Sequence, residues 1–560
     1  MSDIPRSAIP TGDPLSATES SIGPGRFRLP RLLLRTFPLQ TGQVLLLSLL
    51  AGGLHAALIM LITYGVEENR AERATDFLDL LSLISLWIVF CFAKQQALAR
   101  AVGLTEGLAT RLGLGLSERV RRSGLAGLEA IGEGRIFAAV SRDLRTVGSA
   151  GMVAVHALQS TLVILGCLLA LFYYSPVAAV LIVEILALGR LAFYFTDREL
   201  RASSAAANTA EDRFFDLSTH LLDGFKELKL NAGRSRALFE DYLAPAARES
   251  RAARIAAGGY HVRKMSLFNW LFFPTLAGIA FVLPQFGVHG FATAAVVVVA
   301  LWMPAVDVIS AYPYLVDMDL ALTRLRSLDE DLDHQADAHA AGQFAPARLE
   351  RLELRGVSFA YTDPRGEESF RLGPLDLSLQ AGEIVLLAGP NGSGKTTLLK
   401  LLCGLYPPLA GEIRVNSAPL APEDYRGLFA TVLGDFHLFQ RLYGLGAVPD
   451  SLTAHWLARL DLGDKTAVED GAFTTTALST GQRKRLALMV ACLEERPVLV
   501  FDEWSADQDP PHRHWFYREF LPELRRQGKL VICASHDDRY FDAADRVLRL
   551  QDGQWRDQVR

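Results

Sequence analysis

Residues Gly389-Pro-Asn-Gly-Ser-Gly-Lys-Thr-Thr397 decide what the chain is built around. Gly389 and Gly394 are followed by Lys395 and Thr396, which is the spacing of a P-loop. The preceding Glu383-Ile-Val-Leu-Leu-Ala388 is apolar and β-prone, and the following Leu398-Leu-Lys-Leu-Leu402 reads as a helix. In that strand–loop–helix setting the backbone N–H groups of Asn391, Gly392, Ser393 and Gly394 and the helix N-terminus face phosphates, with Thr397 beside them. Lys395 reaches the β- and γ-phosphates, and Thr396 offers its hydroxyl to Mg²⁺. The stretch predicts a site whose ligands are ATP and Mg²⁺.

Working outward, Val498-Leu-Val-Phe-Asp-Glu503 is an apolar strand ending in two carboxylates. Beside a P-loop, one such acid holds the metal and the other orients or deprotonates water, which assigns Asp502 and Glu503 respectively. His536 follows a further apolar strand, and it also fits a solvent-facing loop. Upstream, Leu352 to Tyr361 alternates as a strand and ends on an aromatic placed to stack on adenine, or simply to fill an edge of the core. Leu478-Ser-Thr-Gly-Gln-Arg-Lys-Arg485 opens an amphipathic helix with hydroxyl and glycine donors at its N-terminus, an anion site far from the P-loop in sequence.

The other half of the chain is of another kind. Half of the 560 residues are hydrophobic, and they concentrate before residue 315. Six apolar stretches, near 44–65, 77–94, 152–173, 176–196, 267–285 and 291–312, have about the 20-residue length that crosses a bilayer. The connections after the second and fourth carry Arg100, Arg111, Arg119, Arg121, Arg122, Arg135, Arg142, Arg145, Arg198, Arg201, Lys226 and Lys229. In the short turns, Arg70 and Arg73 are outnumbered by Glu67, Glu68, Glu72 and Asp76. Positive charge stays inside, so the long connections and both termini are expected in the cytoplasm, where ATP is. Those connections read as spans extended into the cytoplasm.

The predicted organisation is a disordered, basic N-terminal segment (1–36), a six-span helical domain (37–330), a polar linker (331–348) and an α/β P-loop domain (349–560). The formal charge of −5 is too small to point to nucleic acid, and five scattered cysteines form no metal-binding spacing. Within the spans, Glu184, Arg190 and Asp307 are ionisable groups in hydrocarbon, which marks Glu184 and Asp307 as substrate-path candidates. Glu184 pairing with a neighbouring helix, and Asp307 bonding backbone freed by Pro304, are equally open. Asn269, His55 and His156 read as interhelical hydrogen-bond partners.

A P-loop, the Leu-Ser-x-Gly-Gln signature, a strand-end Asp-Glu and a downstream His, in this order after the spans, resemble an ABC exporter half-transporter over nearly the whole chain. The resemblance implies an ABC-exporter membrane domain fused to an ABC nucleotide-binding domain. It also implies a homodimer that sandwiches two ATP molecules, each between the P-loop of one copy and the signature of the other. It casts Tyr361 as the adenine-stacking aromatic, Ser479, Gly481 and Gln482 as the signature on the partner's γ-phosphate, Asp509 as the D-loop acid and His536 as the γ-phosphate switch. Coupling helices are expected near Arg119–Glu129 and Phe214–Lys226.

The usual Q-loop glutamine is replaced by Gly434, with Asp435 as substitute metal contact, and Trp504 stands where a small residue is usual. These departures, with Gly224-Phe-Lys-Glu-Leu-Lys-Leu-Asn231, look like the cyclic-peptide and siderophore exporter branch, similar to syringomycin, pyoverdine and microcin or lasso-peptide exporters. The expected partners are a second copy, membrane lipid and a peptide or siderophore cargo, at the bacterial inner membrane. A lipid flippase, a siderophore importer and a nucleotide-gated regulator are the competing readings.

Overall fold

The computed structural model describes residues 29–70, 77–286, 291–334, 349–362 and 367–559. Two compact units divide the chain: Met1–Arg121 with Ile131–His334, and Arg122–Ala130 with Gln335–Arg560.

The first unit is all helical: α1 (Leu29–Thr36), α2 (Pro38–Arg70), α3 (Phe77–Arg122), α4 (Leu125–Ile131), α5 (Glu133–Ala138), α6 (Leu144–Tyr174), α7 (Pro176–Asp223), α8 (Phe225–Leu230), α9 (Ala232–Ala237), α10 (Ala244–Ala277) and α11 (Phe291–His334). Only residues 122–130, which carry most of α4, belong to the other unit. The 46 residues of α3 extend about 70 Å at roughly 1.5 Å each, twice the ~30 Å hydrocarbon core, as spans continuing into the cytoplasm require. Among the described residues, five helical stretches are long and apolar enough to cross a membrane: Pro38–Gly65, Phe77–Arg122, Glu133–Tyr174, Ala232–Val282 and Ala294–His334. The expected fourth span falls in α7, whose apolar run is described over Pro176–Leu188. The side chain of Arg190 lies outside the described residues, as do the turn 71–76 and most of the linker.

Two boundaries move. The end of the supposedly disordered segment is helix α1, because Leu32 and Leu33 are buried there, and α11 runs four residues into the expected linker.

Small residues let the helices approach. A Cβ on Gly151 would lie 2.1 Å from the Thr105 side chain, and one on Gly166 would lie 2.3 Å from the Cβ of Ala56. This is the packing of helices that gain little from water exclusion between them. Arg324 from α11 donates to Asp143 at 2.7 Å, and Asp143 is buried.

The second unit holds strands β1 (Arg351–Thr362), β2 (Glu368–Gln380), β3 (Ile384–Ala388), β4 (Ala410–Val415), β5 (Ala418–Pro419), β6 (Phe429–Val432), β7 (Val468–Glu469), β8 (Ala472–Phe473), β9 (Val498–Asp502), β10 (Leu530–Ala534), β11 (Arg546–Gln551) and β12 (Gln554–Val559). An antiparallel sheet runs β2-β1-β4-β5, and a six-stranded sheet runs β12-β11-β3-β10-β9-β6, parallel except at β12. All five residues of β3, of β9 and of β10 are buried, which is why these strands read as unbroken apolar runs instead of alternating. Helices α12 (Lys395–Leu402), α13 (Pro422–Tyr425), α14 (Asp450–Arg459), α15 (Thr480–Leu493), α16 (Pro510–Trp515) and α17 (Leu521–Arg526) complete the unit. The parallel order puts the C-terminal ends of β3, β9 and β10 side by side, and three motifs follow those ends directly.

Candidate nucleotide site

The loop between β3 and α12 is glycine-rich for two separate steric reasons. Gly394, the residue before α12, has φ 100°, and a Cβ there would lie 2.9 Å from the Phe370 ring. At Gly389 a Cβ would lie 2.2 Å from the backbone oxygen of Leu550. The loop curls so tightly that Lys395 Nζ donates back to the carbonyls of Gly389 at 2.9 Å and Pro390 at 3.2 Å. Asn391 and Gly392 are exposed at the rim, and the buried hydroxyl of Ser393 has no hydrogen-bond partner among the described residues.

The strand-end residues meet this loop. Thr396 Oγ1 donates to Asp502 Oδ2 at 2.8 Å, while the buried Asp502 Oδ1 has no partner among the described residues. Burial raises the Asp502 pKa above the usual carboxylate range; Glu503 adds to this, and Thr396 and the Gly434 N–H pull against it. A hydroxyl and an orphaned carboxylate oxygen are the hard oxygen donors Mg²⁺ takes, with room left for phosphate and water, so these residues fit the ion.

Glu503 follows β9 with φ 49°, a left-handed conformation that costs a non-glycine residue free energy of order 1–3 kcal/mol. Its N–H is tied to Ala534 O at 3.1 Å. That turn aims the carboxylate at the loop: Oε1 is 2.9 Å from His536 Nε2 and 3.9 Å from Lys395 Nζ. His536 Nε2 is in turn 3.0 Å from Lys395 Nζ. Burial lowers the Lys395 pKa, an effect the charges of Glu503 and Asp502 oppose. His536 therefore stands between two of the other expected catalytic groups, within hydrogen-bond reach of both Glu503 and Lys395.

The signature lies at the start of α15. Ser479 caps the helix by accepting the Gln482 N–H at 3.3 Å, and Gln482 Oε1 accepts the Ser479 N–H at 3.0 Å, a reciprocal capping box. Gly481 is forced, since a Cβ would lie 2.4 Å from the Asp507 carbonyl. Lys484, missed in the sequence, links signature to strand end: its Nζ donates to Glu503 O at 2.9 Å and pairs with Asp507 at 2.7 Å. Trp504 is fully buried, stacks on Phe516 at 4.4 Å and donates Nε1–H to Lys484 O at 2.9 Å. The bulky residue is a strut between the catalytic turn and α15. Asp509 caps α16, accepting from the backbone N–H of His512 at 3.2 Å.

A second group joins sequence candidates to two residues that were not legible, Tyr406 and Lys400. Tyr361 OH is 3.3 Å from Tyr406 OH and 3.5 Å from Thr397 Oγ1, and its ring stands edge-on to Phe359. Tyr406, stacked on Phe359 at 4.8 Å, donates to Glu129 Oε2 at 2.8 Å. Residues 122–130 thus pack into the nucleotide unit, with Leu125 and Ala126 against its core. Lys400 Nζ lies 3.5 Å from Glu129 and 3.4 Å from Asp435. Burial alone would lower the Lys400 pKa, but those two carboxylates hold it raised. Asp435 is thus found on Lys400, and the preceding Gly434 puts its backbone N–H on Asp502. The other expected coupling segment, 214–226, belongs to the membrane unit, where Phe215, Leu222 and Phe225 are exposed.

Of the span candidates, Asp307 accepts from Ser160 at 2.9 Å and lies 3.8 Å from His156, whereas Glu184 is exposed on α7. Asn269 Oδ1 is buried without a hydrogen-bond partner among the described residues.

Comparison with known proteins bears on all of this. Residues 372–506 match the ABC transporter family model. The chain is 32% identical to the ATP-binding protein SyrD of Pseudomonas syringae pv. syringae, over 93% of this chain and 95% of that one. It is 31% identical to the ATP-dependent lipid A-core flippase of Burkholderia orbicola (strain AU 1054), over 44% of each chain. The solved structure of a bacterial Atm1-family ABC exporter with ATP bound shares the fold, with a TM-score of 0.74 at 15% identity, over 94% of this chain and 95% of that one. A likeness that runs through both the apolar helices and the P-loop unit places the chain in the ABC exporter family, as an ATP-hydrolysing membrane transporter.

Proposed function

We propose that the chain exports a peptide-type cargo, a cyclic or lasso peptide, a lipopeptide or a peptide siderophore, from the cytoplasm across the inner membrane. The observation that carries this is the likeness to SyrD over nearly the whole length, membrane half included, where the flippase likeness covers less than half. In this reading α7 supplies a sixth span, both termini are cytoplasmic, and the working unit is a homodimer with two ATP sites.

Each site takes the adenine on Tyr361 and the phosphates on Asn391 to Thr397. Across the dimer, Ser479, Gly481 and Gln482 of the second copy close on the γ-phosphate, with Asp509 beside them. Mg²⁺ held by Thr396 and Asp502 would neutralise charge on the β- and γ-phosphates, with Asp435 proposed to reach it through water. Lys395, whose ammonium now faces Glu503 and His536, turns to the γ-phosphate charge. Glu503, freed from Lys395, accepts the proton of the attacking water, and His536 holds the γ-phosphate in register. ATP favours the closed pair of nucleotide units by binding it better than the open pair, and hydrolysis removes that bias.

The test is mass spectrometry of cells and medium from a strain lacking the protein, from wild type, and from a Glu503→Gln strain. A peptide retained in cells and missing from the medium in both mutants supports export. Altered lipids with an unchanged medium favour the flippase, and a depleted intracellular siderophore favours an importer.

A further inference from the structure

The membrane unit carries a polar seam that the nucleotide chemistry does not use. Along α6 and the helical turn Ala139–Asp143 that leads into it, Arg142, Thr146, Ser149, His156 and Ser160 recur at steps of three, four and seven residues, which is one face of a helix. Along α11, Asp307, Ser310, Tyr314, Asp317 and Arg324 recur in the same way. The two faces meet. Ser160 donates to Asp307 at 2.9 Å, His156 lies 3.8 Å from the same oxygen, and Arg324 pairs with Asp143. Toward the other end they border a cavity of about 240 Å³ lined by Arg142, Thr146, Ser149, Tyr314, Asp317 and Asn208.

The charges along this seam do not balance. Both guanidiniums are committed, Arg142 to Asp212 and Arg324 to Asp143. Among the described residues, no arginine or lysine pairs with Asp307, whereas Asp317 feels the charge of Arg324 in the same cavity. The Asp307 side chain is 27% exposed and its recorded partners are a hydroxyl and an imidazole, so one carboxylate oxygen is available. His55 on α2 also lies within electrostatic reach of Asp307. Next to Ser160, Gln159 is 5% exposed with neither amide atom hydrogen-bonded among the described residues. Carboxylates held in a low-dielectric span without a fixed cation are costly, and a cation supplied by a ligand removes that cost.

We propose that this α6/α11 seam is the cargo-binding site, and that Asp307 receives an ammonium or guanidinium group of the cargo while the hydroxyls below it accept hydrogen bonds from its peptide N–H groups. Lipid tails offer nothing to such a face. The assignment rests on the export reading for the identity of the cargo, but its test does not.

Ser310 lies on the seam one turn from Asp307. Ser310→Cys is placed in a chain with Cys91 and Cys492 replaced by serine, held in lipid nanodiscs, and the same chain with Ser310 retained is the blank. Modification rates are read by mass with 2-aminoethyl methanethiosulfonate, a cation, and 2-sulfonatoethyl methanethiosulfonate, an anion. A wet, anionic seam predicts that the cation reacts preferentially, and that Asp307→Asn lowers the cation-to-anion ratio roughly tenfold. Asp307→Glu restores the ratio. A cysteine that neither reagent reaches means that lipid or a second copy covers the face, and overturns the proposal. So does a ratio that Asp307→Asn leaves unchanged. Failure of the export reading would show instead as an unaltered medium, with the reagent ratio intact.

Discussion

The two units solve the same packing problem with opposite materials. In the nucleotide unit, polar side chains tie distant segments together: Tyr361 to Tyr406 to Glu129, Trp504 to the Lys484 carbonyl, Lys484 to the Glu503 carbonyl, and Tyr517 at 2.7 Å from Ser535. In the membrane unit the tightest glycine contacts are Gly151 on Thr105 and Gly166 on Ala56. The difference follows from the solvent. Where water surrounds the fold, apolar strands are driven inside and polar networks fix the loops around them. Where lipid surrounds it, apolar surface gains nothing by being hidden, and close fit between backbones takes over.

That contrast can be broken in four places, from the largest effect to the smallest. Glu503→Gln should lower ATP turnover roughly 10²–10⁴-fold with nucleotide binding kept, as expected for removal of a general base. Phosphate release measures it, and near-native turnover would remove Glu503 from its role.

In the membrane unit, Gly151→Ala should lower the melting temperature, because overpacking costs about 1–3 kcal/mol and Thr105 is stiff about its own Cβ. Gly53→Ala, with nothing within 4 Å of the added Cβ, should leave the melt unchanged or raise it. Equal shifts for the two would show that glycine contacts do not hold this unit together.

Tyr406→Phe should cost about 1 kcal/mol by removing the donor to Glu129. It should also raise the KM for ATP a few-fold, since Tyr361 loses its neighbour's hydroxyl. An unchanged KM would mean that the Tyr406 hydroxyl does not position Tyr361.

The smallest effect is expected of Asp435→Asn. Its side chain is 68% exposed on Lys400, and such pairs contribute about 0–1 kcal/mol. If Asp435 reaches Mg²⁺ through water, the Mg²⁺ requirement in a phosphate-release titration rises roughly tenfold; if it serves Lys400 alone, the change stays under about twofold.

The site was legible wherever chemistry imposes residue type at short spacing. Gly389 and Gly394 have no substitute at their contacts, and Asp502 and Glu503 end a strand whose burial makes it apolar throughout. Tyr406 and Lys484 were not legible, because their partners Glu129 and Glu503 are distant in sequence and no local pattern requires them. Asp435 was read as a metal contact from its place after Gly434, and its second partner, Lys400, was hidden for the same reason. The six spans were counted from composition; five are found as long apolar helices among the described residues, and in α7 the described apolar run is Pro176–Leu188.

By itself the sequence determined the P-loop, the strand-end carboxylates, the signature cap and the division into an apolar and an α/β half. Each depends on residue type at a fixed local offset, which is what hydrogen-bond geometry and lipid thickness act on. The tertiary structure alone decided that His536, Glu503 and Lys395 converge, that residues 122–130 join the nucleotide unit, and that two ordinary helical faces on α6 and α11 form one polar seam. Those outcomes depend on which distant segments pack together, a choice made by the summed burial of whole elements and not by any stretch of the chain read alone.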